Sequence, residues 1–261
     1  MRAIVACLAV LLFGTPVLAQ SATAEQKAQL APTGALRAAI VTIPFLAKKD
    51  ASGAVNGVAP DLGAELARVL GVPYQPTVYD TPPAGMKVMR EGAADVIFLA
   101  PTPERIGQAE FAPAFMEMEL SLLVPNASPI KTLADADQPE RRIVVYEKSA
   151  NEEMVRVKLP KATRVLVPLS NYKKAFETIK AGEGDAFADL LYQTLANQAD
   201  MPGMRIVPGA IGHNALAIGS TKDKAAAAAF VKAFTETVVK SGFVAKSIEK
   251  AGVRGAAPPA I

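Results

Sequence analysis

The sequence predicts an α/β fold made of two lobes of similar design, joined by two strands that cross between them. Three features carry this prediction. Short apolar strands alternate with helical segments from Leu36 to Leu99, the pattern of a parallel sheet wrapped by helices. The same alternation starts again at Arg142, after a mixed stretch. Two further apolar runs, Met116 to Val124 and His213 to Gly219, flank that second unit, placed to leave the first lobe and return to it.

Leu36 to Ile43 reads as a buried strand ending at Pro44-Phe45, and Asp50 to Gly57 as a loop rich in turn formers. A helix follows, with Asp61 in its first turn and Leu62, Leu66, Val69 and Leu70 as its apolar stripe; Gly71 and then Pro73 stop it. Tyr74 to Tyr79 is a second strand, Pro83 to Glu91 a helix closed by Gly92, and Asp95 to Leu99 a third strand. The second unit reads as strand Arg142 to Tyr146, helix Asn151 to Val157, strand Thr163 to Val167, helix Tyr172 to Ala181 and strand Asp185 to Ala188. Helices at Lys222 to Ser241 and Phe243 to Ala251 complete the chain. Arg90-Glu91-Gly92-Ala93-Ala94-Asp95 is echoed by Lys180-Ala181-Gly182-Glu183-Gly184-Asp185. Each reads as a helix C-cap turning into a strand, with the glycine in the left-handed conformation.

At the amino end, Arg2 precedes an apolar run from Ala3 to Phe13 and the small-residue sequence Val17-Leu18-Ala19. This is the pattern of a secretory signal peptide over residues 1–19, and it implies a soluble periplasmic protein. The run is about half the ~20 residues that span a bilayer. Cys7 is the single cysteine and would leave with the signal, so no disulfide, zinc knuckle or thiol nucleophile is expected. The 28 basic and 25 acidic residues are scattered rather than gathered into a stripe, so neither nucleic acid nor anionic membrane is implied as a partner. No acid pair, metal-ligand cluster, nucleophile elbow or phosphate loop is visible, and no cofactor is expected. The expected division is lobe 1 over 30–122 plus 213–252, lobe 2 over 123–212, and a flexible tail over 253–261, where periodicity ends.

Four segments, in their order and spacing, resemble the family 3 periplasmic solute-binding proteins that serve amino-acid-type ABC importers. They are Asn56-Gly57-Val58-Ala59-Pro60-Asp61-Leu62, the turn Gly92 to Asp95, Thr102-Pro103-Glu104-Arg105 followed by Phe111, and Gly182 to Asp189. The resemblance runs from about Gly34 to Gly252. It implies a two-lobe periplasmic-binding-protein-like fold of type II with two hinge crossings. It also implies a cleft for one small carboxylate-bearing solute, an amino acid or related organic acid, and delivery of that solute by a monomer to a membrane permease.

The resemblance also assigns residues. Family amino-acid binders hold the α-carboxylate with an arginine matched by Arg105 and the ammonium with a second-lobe acid matched by Asp189. Each solute charge leaving water needs an opposite partner, and a guanidinium suits a carboxylate because it forms two parallel hydrogen bonds. Read from the residues alone, Arg105 is a solvated side chain in a helix's first turn, and Asp189 is the N-cap of a helix from Leu190 to Gln198. Phe45 matches an aromatic wall against the solute, or is core. Ser149 approximates a second-lobe hydroxyl on the carboxylate, or is an ordinary N-cap; Thr102 is a solute contact or the cap of a turn beginning at Pro103. The stretch Asp95 to Arg105 is a residue or two shorter than the family pattern, and Lys148 stands where the family has glycine.

Two other readings use the same scaffold. Cyclohexadienyl-dehydratase activity is known on it, but general acid–base work needs a tuned proton carrier, and the only histidine, His213, lies on an expected crossing strand and reads as structural. Receptors also borrow this lobe pair as a ligand-sensing module. The reading carried forward is binding without catalysis.

Overall fold

The computed structural model describes residues 22–147, 149–168, 171–197 and 200–260. The expected signal peptide with its Cys7, and Lys148, lie outside the described residues. The elements run α1 (Ala24–Leu30), β1 (Leu36–Val41), β2 (Lys48–Lys49), β3 (Val55–Asn56), α2 (Val58–Leu70), β4 (Tyr74–Tyr79), α3 (Pro82–Arg90), β5 (Val96–Leu99) and α4 (Pro103–Ile106). Next come β6 (Ala109–Pro125), α5 (Leu133–Ala136), β7 (Arg142–Tyr146), α6 (Ala150–Lys158), β8 (Thr163–Val167), α7 (Tyr172–Lys180), β9 (Ala186–Leu190) and α8 (Leu191–Asn197). The chain finishes with β10 (Met204–Ile206), β11 (Gly212–Thr221), α9 (Ala225–Lys240), α10 (Phe243–Ala251) and β12 (Ala256–Ala257).

Local chemistry accounts for the boundaries. In α2 the buried Leu62, Leu66 and Leu70 recur at helical spacing, and Gly71 at φ 74° ends the helix by donating its N–H to the carbonyls of Ala67 and Arg68. Truncating a leucine as fully buried as Leu66 to alanine typically costs about 2–5 kcal/mol. The internal echo has a structural meaning. Arg37, at the start of β1, donates through Nε to Asp95 Oδ2 at 3.0 Å and through Nη2 to Oδ1 at 2.6 Å, and its backbone N–H also meets Oδ2 at 2.9 Å. Arg142, at the start of β7, holds Asp185 in the same three-bond pattern at 3.2, 3.0 and 2.8 Å. Gly92 and Gly182, at φ 67° and 73°, make the turns that bring each aspartate to its arginine. These clasps sit at the amino ends of the parallel strands, where the repeated motif ties neighbouring strands together in each block.

A ten-stranded mixed sheet has the order β4-β1-β5-β11-β6-β9-β7-β8, with β10 and β12 also pairing with β6. The blocks β4-β1-β5 and β9-β7-β8 are each parallel; β6 and β11 run antiparallel to each other and join them. Each block has apolar clusters on both faces. Ile40, Leu66, Phe98 and Val231 belong to one cluster of the first block, and Val41, Met86 and Ile97 to the other. Ile143, Val145 and Val155, and separately Val144, Ile179 and Phe187, fill the second. Along β6 the core changes from the first block at Met118 to the second at Leu120.

Register fixes the gap between the blocks. Leu99, the last residue of β5, pairs with Ala217, which pairs with Ala114 of β6; Leu190, the last of β9, pairs with Leu120. β5 and β9 therefore point their carboxyl ends at each other, separated by about 20 Å of β6 at ~3.4 Å per residue. Crevices outside the carboxyl ends of parallel strands are where α/β sheets bind ligands.

Residues 253–257 of the expected loose tail are held in place. Val253 is buried, Ala256 and Ala257 pair with Met118 and Glu117, and Glu119 donates its backbone N–H to Gly255 O at 2.9 Å. Backbone pairing with β6, which needs no side-chain periodicity, holds this segment. Likewise, part of the expected loop from Asp50 to Gly57 belongs to the β2–β3 hairpin, where Lys48 pairs with Asn56.

Candidate functional site

On the first block, β1 leads into a turn in which Leu46 and Ala47 both donate to Ile43 O, presenting Phe45. Gly57 lets the start of α2 approach this turn. Its φ is 141°, and a Cβ there would lie 2.4 Å from Leu46 O. Ala59 N–H donates to the same oxygen at 3.1 Å. Beside it, β5 leads into α4, where Thr102 Oγ1 accepts from Arg105 N at 3.4 Å. Arg105 is partly buried and donates from Nη1 to Ala100 O at 3.0 Å. Desolvation, partly offset by Glu104, lowers its pKa from the ordinary value; a guanidinium nevertheless stays charged. Among the described residues no carboxylate forms a salt bridge with it, so the charge of this partly desolvated cation is not neutralised by an ion pair.

On the second block, β7 ends at Tyr146 and α6 begins after Ser149. Ser149 Oγ donates to Tyr146 O at 2.6 Å and accepts from Glu152 N at 3.1 Å, which is the capping role. Asp189 lies near the end of β9 with only 3% of its surface exposed. Its Oδ1 accepts from Leu190 N at 2.8 Å and Asn151 Nδ2 at 3.3 Å, and its Oδ2 from Tyr146 Oη at 3.3 Å. Burial pushes its pKa up to about 7, outweighing these three donors. The same burial, with the Asp189 charge, raises Tyr146 well above the ordinary phenol. Asp189 is thus the last-but-one residue of a strand, with its carboxylate turned to its own backbone and to α6. The helix from Leu190 expected to use it as N-cap instead runs Leu191–Asn197, and Gln198 lies outside the described residues.

The five candidates fall into groups. Thr102 and Arg105 share one turn, and Ser149 reaches Asp189 through Tyr146. Phe45 meets the second block at Tyr192, edge to face with centroids 6.0 Å apart, and Lys48 Nζ lies 5.6 Å from the centroid of the same ring. No contact joins Arg105 to Asp189 among the described residues; they stand on opposite edges of the gap. His213 is exposed on β11, in register with Glu119. Sequence reasoning missed Tyr146, Asn151 and Tyr192. Their signal was position: Tyr146 ends a parallel strand, and Tyr192 follows Asp189 by three residues. Hollows of about 360–490 Å³ elsewhere are lined by α1, α2, β6, α9, α10 and the carboxyl-terminal segment and contain none of these side chains.

Comparisons with known proteins bear on the fold and the family. The ABC transporter glutamine-binding protein GlnH of Bacillus subtilis (strain 168) is 27% identical over 146 residues, 54% of this chain and 52% of that protein, so the match spans about half the length of that relative. The glutamine-binding protein of Geobacillus stearothermophilus is 25% identical over 185 residues, 69% of each chain. The crystal structure of the ancestral amino acid-binding protein AncCDT-1, described as a precursor of cyclohexadienyl dehydratase, superimposes with a TM-score of 0.59 at 25% identity, covering 84% of this chain and 96% of that one. The two-lobe fold is therefore shared with amino-acid-binding proteins. Among the described residues no helix is long and apolar enough to cross a membrane. Residues 37–252 match the family description as a whole, and the chain belongs to the bacterial extracellular solute-binding proteins, family 3.

Proposed function

We propose that this protein captures one amino acid or closely related carboxylate-bearing solute between its lobes and delivers it to the permease of an ABC importer. The observation that carries this reading is Arg105: a partly buried guanidinium in the turn after β5, at the carboxyl edge of the first block, that forms no salt bridge among the described residues. A bidentate carboxylate would supply the missing charge. Asp189 would meet the ammonium from the opposite edge, Phe45 would form a wall of the cleft, and Thr102 and Ser149 would contribute hydroxyls beyond their caps.

The lobes in this reading are 30–122 plus 213–252 and 123–212; the change of core between Met118 and Leu120 supports a division within the crossings. Solute would shift the population toward a closed form by binding it better than the open one. A periplasmic, monomeric protein released by signal cleavage after Ala19 fits the role, as does binding without turnover. A thermal-shift screen of residues 20 onward against amino acids, dicarboxylates and small organic acids, repeated with Arg105→Ala, tests the proposal. Ligand binding to the native state raises the melting temperature by mass action. Stabilisation by an acid that the variant abolishes supports the assignment; stabilisation that survives in the variant removes it. Consumption of the bound solute would favour the dehydratase reading instead.

A further inference from the structure

Asp189 is one end of a buried polar chain that reaches the crossing strands. Asn151, in the first turn of α6 and itself buried, donates from Nδ2 to Asp189 Oδ1 at 3.3 Å, while its Oδ1 accepts from Asn214 Nδ2 at 2.9 Å. When Asp189 is ionised it only accepts, and the Asn151 amide is oriented to suit, with its NH2 toward Asp189 and its carbonyl toward the neighbouring amide. Asn214 lies on β11 opposite Met118, within the stretch of crossing strands between the two carboxyl edges. Asn151 therefore belongs to the second lobe but is bonded to the strand on which that lobe would turn.

We propose that Asn151 is a positioning residue that sets the orientation of the Asp189 carboxylate toward a solute's ammonium and, through Asn214, ties that orientation to the crossing strand. This rests on the reading of Asp189 as the acid that meets the ammonium. A swing of the second lobe that separates α6 from β11 breaks the Asn151–Asn214 bond and frees the Asn151 amide to turn, so recognition of the amine is coupled to lobe position. Alanine at 151 could neither donate to the acid nor accept from the hinge. The groups packed on the Asp189 side chain are the Tyr146 hydroxyl from β7, the Asn151 amide from α6 and the Leu190 N–H; Ser121 of β6 bonds the Asp189 carbonyl at 3.2 Å and lies 3.4 Å from Thr194 Oγ1 of α8. Among the described residues, Tyr146 is the only titratable group hydrogen-bonded to Asp189.

The test compares L-glutamine with its des-amino counterpart, glutaramate, by titration calorimetry on the full mature chain. Variants are Asn151→Ala, Asn214→Ala and Asp189→Asn. Alongside, the melting temperature of the ligand-free protein is followed from pH 4 to pH 9. The expected result is a loss of about tenfold for L-glutamine in Asn151→Ala, a smaller loss in Asn214→Ala, and glutaramate affinity unchanged. The midpoint of the Asp189-dependent part of the melting profile should also rise in Asn151→Ala, because a donor to the ionised carboxylate has gone. Equal losses for both ligands, or an unmoved midpoint, overturn the proposal. If Asp189→Asn leaves the preference for L-glutamine over glutaramate intact, the ammonium reading of Asp189 falls, whereas the midpoint still reports separately on the Asn151 contact. Should L-glutamine give no heat, or Asn151→Ala not fold, the midpoint in Asn214→Ala decides: an upward movement supports the chain, and an unmoved value overturns it.

Discussion

Phe45 and Tyr192 touch edge to face, one in the turn after β1 and the other in the helix after β9, and both pack against the apolar core of the first block. Such pairs add about 0.5–1.5 kcal/mol beyond the area they bury, and Lys48 over the Tyr192 ring adds a cation–π contact. The pair therefore favours approach of the lobes at this end. Tyr192→Ala should enlarge the ligand-free molecule in small-angle scattering and weaken solute binding about 2–10-fold, in line with the pair energy. An unchanged radius of gyration together with unchanged affinity would contradict this.

Gly57 holds the turn that presents Phe45. An alanine there combines a φ that L-residues avoid with a Cβ 2.4 Å from the Leu46 carbonyl, so Leu46 must retreat and take Phe45 with it. Gly57→Ala is expected to cost about 2–4 kcal/mol of stability and to weaken binding more than Gly53→Ala, at an exposed turn where an added Cβ meets nothing within 4 Å. Urea unfolding and calorimetry read the two effects.

The two clasps differ in burial. Asp95 is 2% exposed, against 25% for Asp185. Removing a buried partner leaves a charge and N–H groups unpaired, whereas an open pair is screened. Asp95→Ala should cost about 3 kcal/mol and Asp185→Ala about 1 kcal/mol in urea denaturation. Equal costs would show that the clasps are equivalent despite their different exposure.

Asp189 makes stability depend on pH. Its pKa in the folded state is about 7, above the ~3.9 of an unfolded aspartate, so the native state binds this proton more tightly. Its contribution is present in full below about pH 4 and is lost as pH rises through about 7. The ligand-free protein should therefore lose on the order of 2–4 kcal/mol from this group between pH 4 and pH 8, and Asp189→Asn should remove that loss. A solute ammonium favours the ionised form, so binding near pH 6.5 should release a proton, seen as a calorimetric enthalpy that varies with buffer.

The fold was legible wherever side chains carry a period. The Leu62, Leu66 and Leu70 stripe, the apolar crossing strands and the two Gly-to-Asp turns all appear where the sequence predicts them, because each is a local solution to burial or to a left-handed backbone. β6 begins at Ala109 rather than near Met116: its pairing with β11 shifts register between Phe111 and Met116, a stretch that includes Ala112 and Pro113, and the polar Glu110 further hides the strand. β12 pairs through the backbone of two alanines and leaves no pattern to read. In the site, Thr102 and Ser149 were legible as caps, whereas Arg105 read from the residues alone as a solvated side chain in a helix's first turn, and only the resemblance gave it a ligand role. The Asp189 environment was not: Tyr146, Asn151 and Asn214 lie far from it along the chain, and only the pairing of β7, β9 and β11 through β6 brings them together.

Calorimetric affinity of the best-stabilising amino acid for the wild type and for Arg105→Ala is the most direct measurement of the central claim. Truncating one partner of a desolvated charge pair typically costs about 2–5 kcal/mol, so a loss of at least ~30-fold is predicted, with the variant's urea midpoint close to that of the wild type. Binding of undiminished strength in Arg105→Ala would show that the solute's carboxylate is held elsewhere.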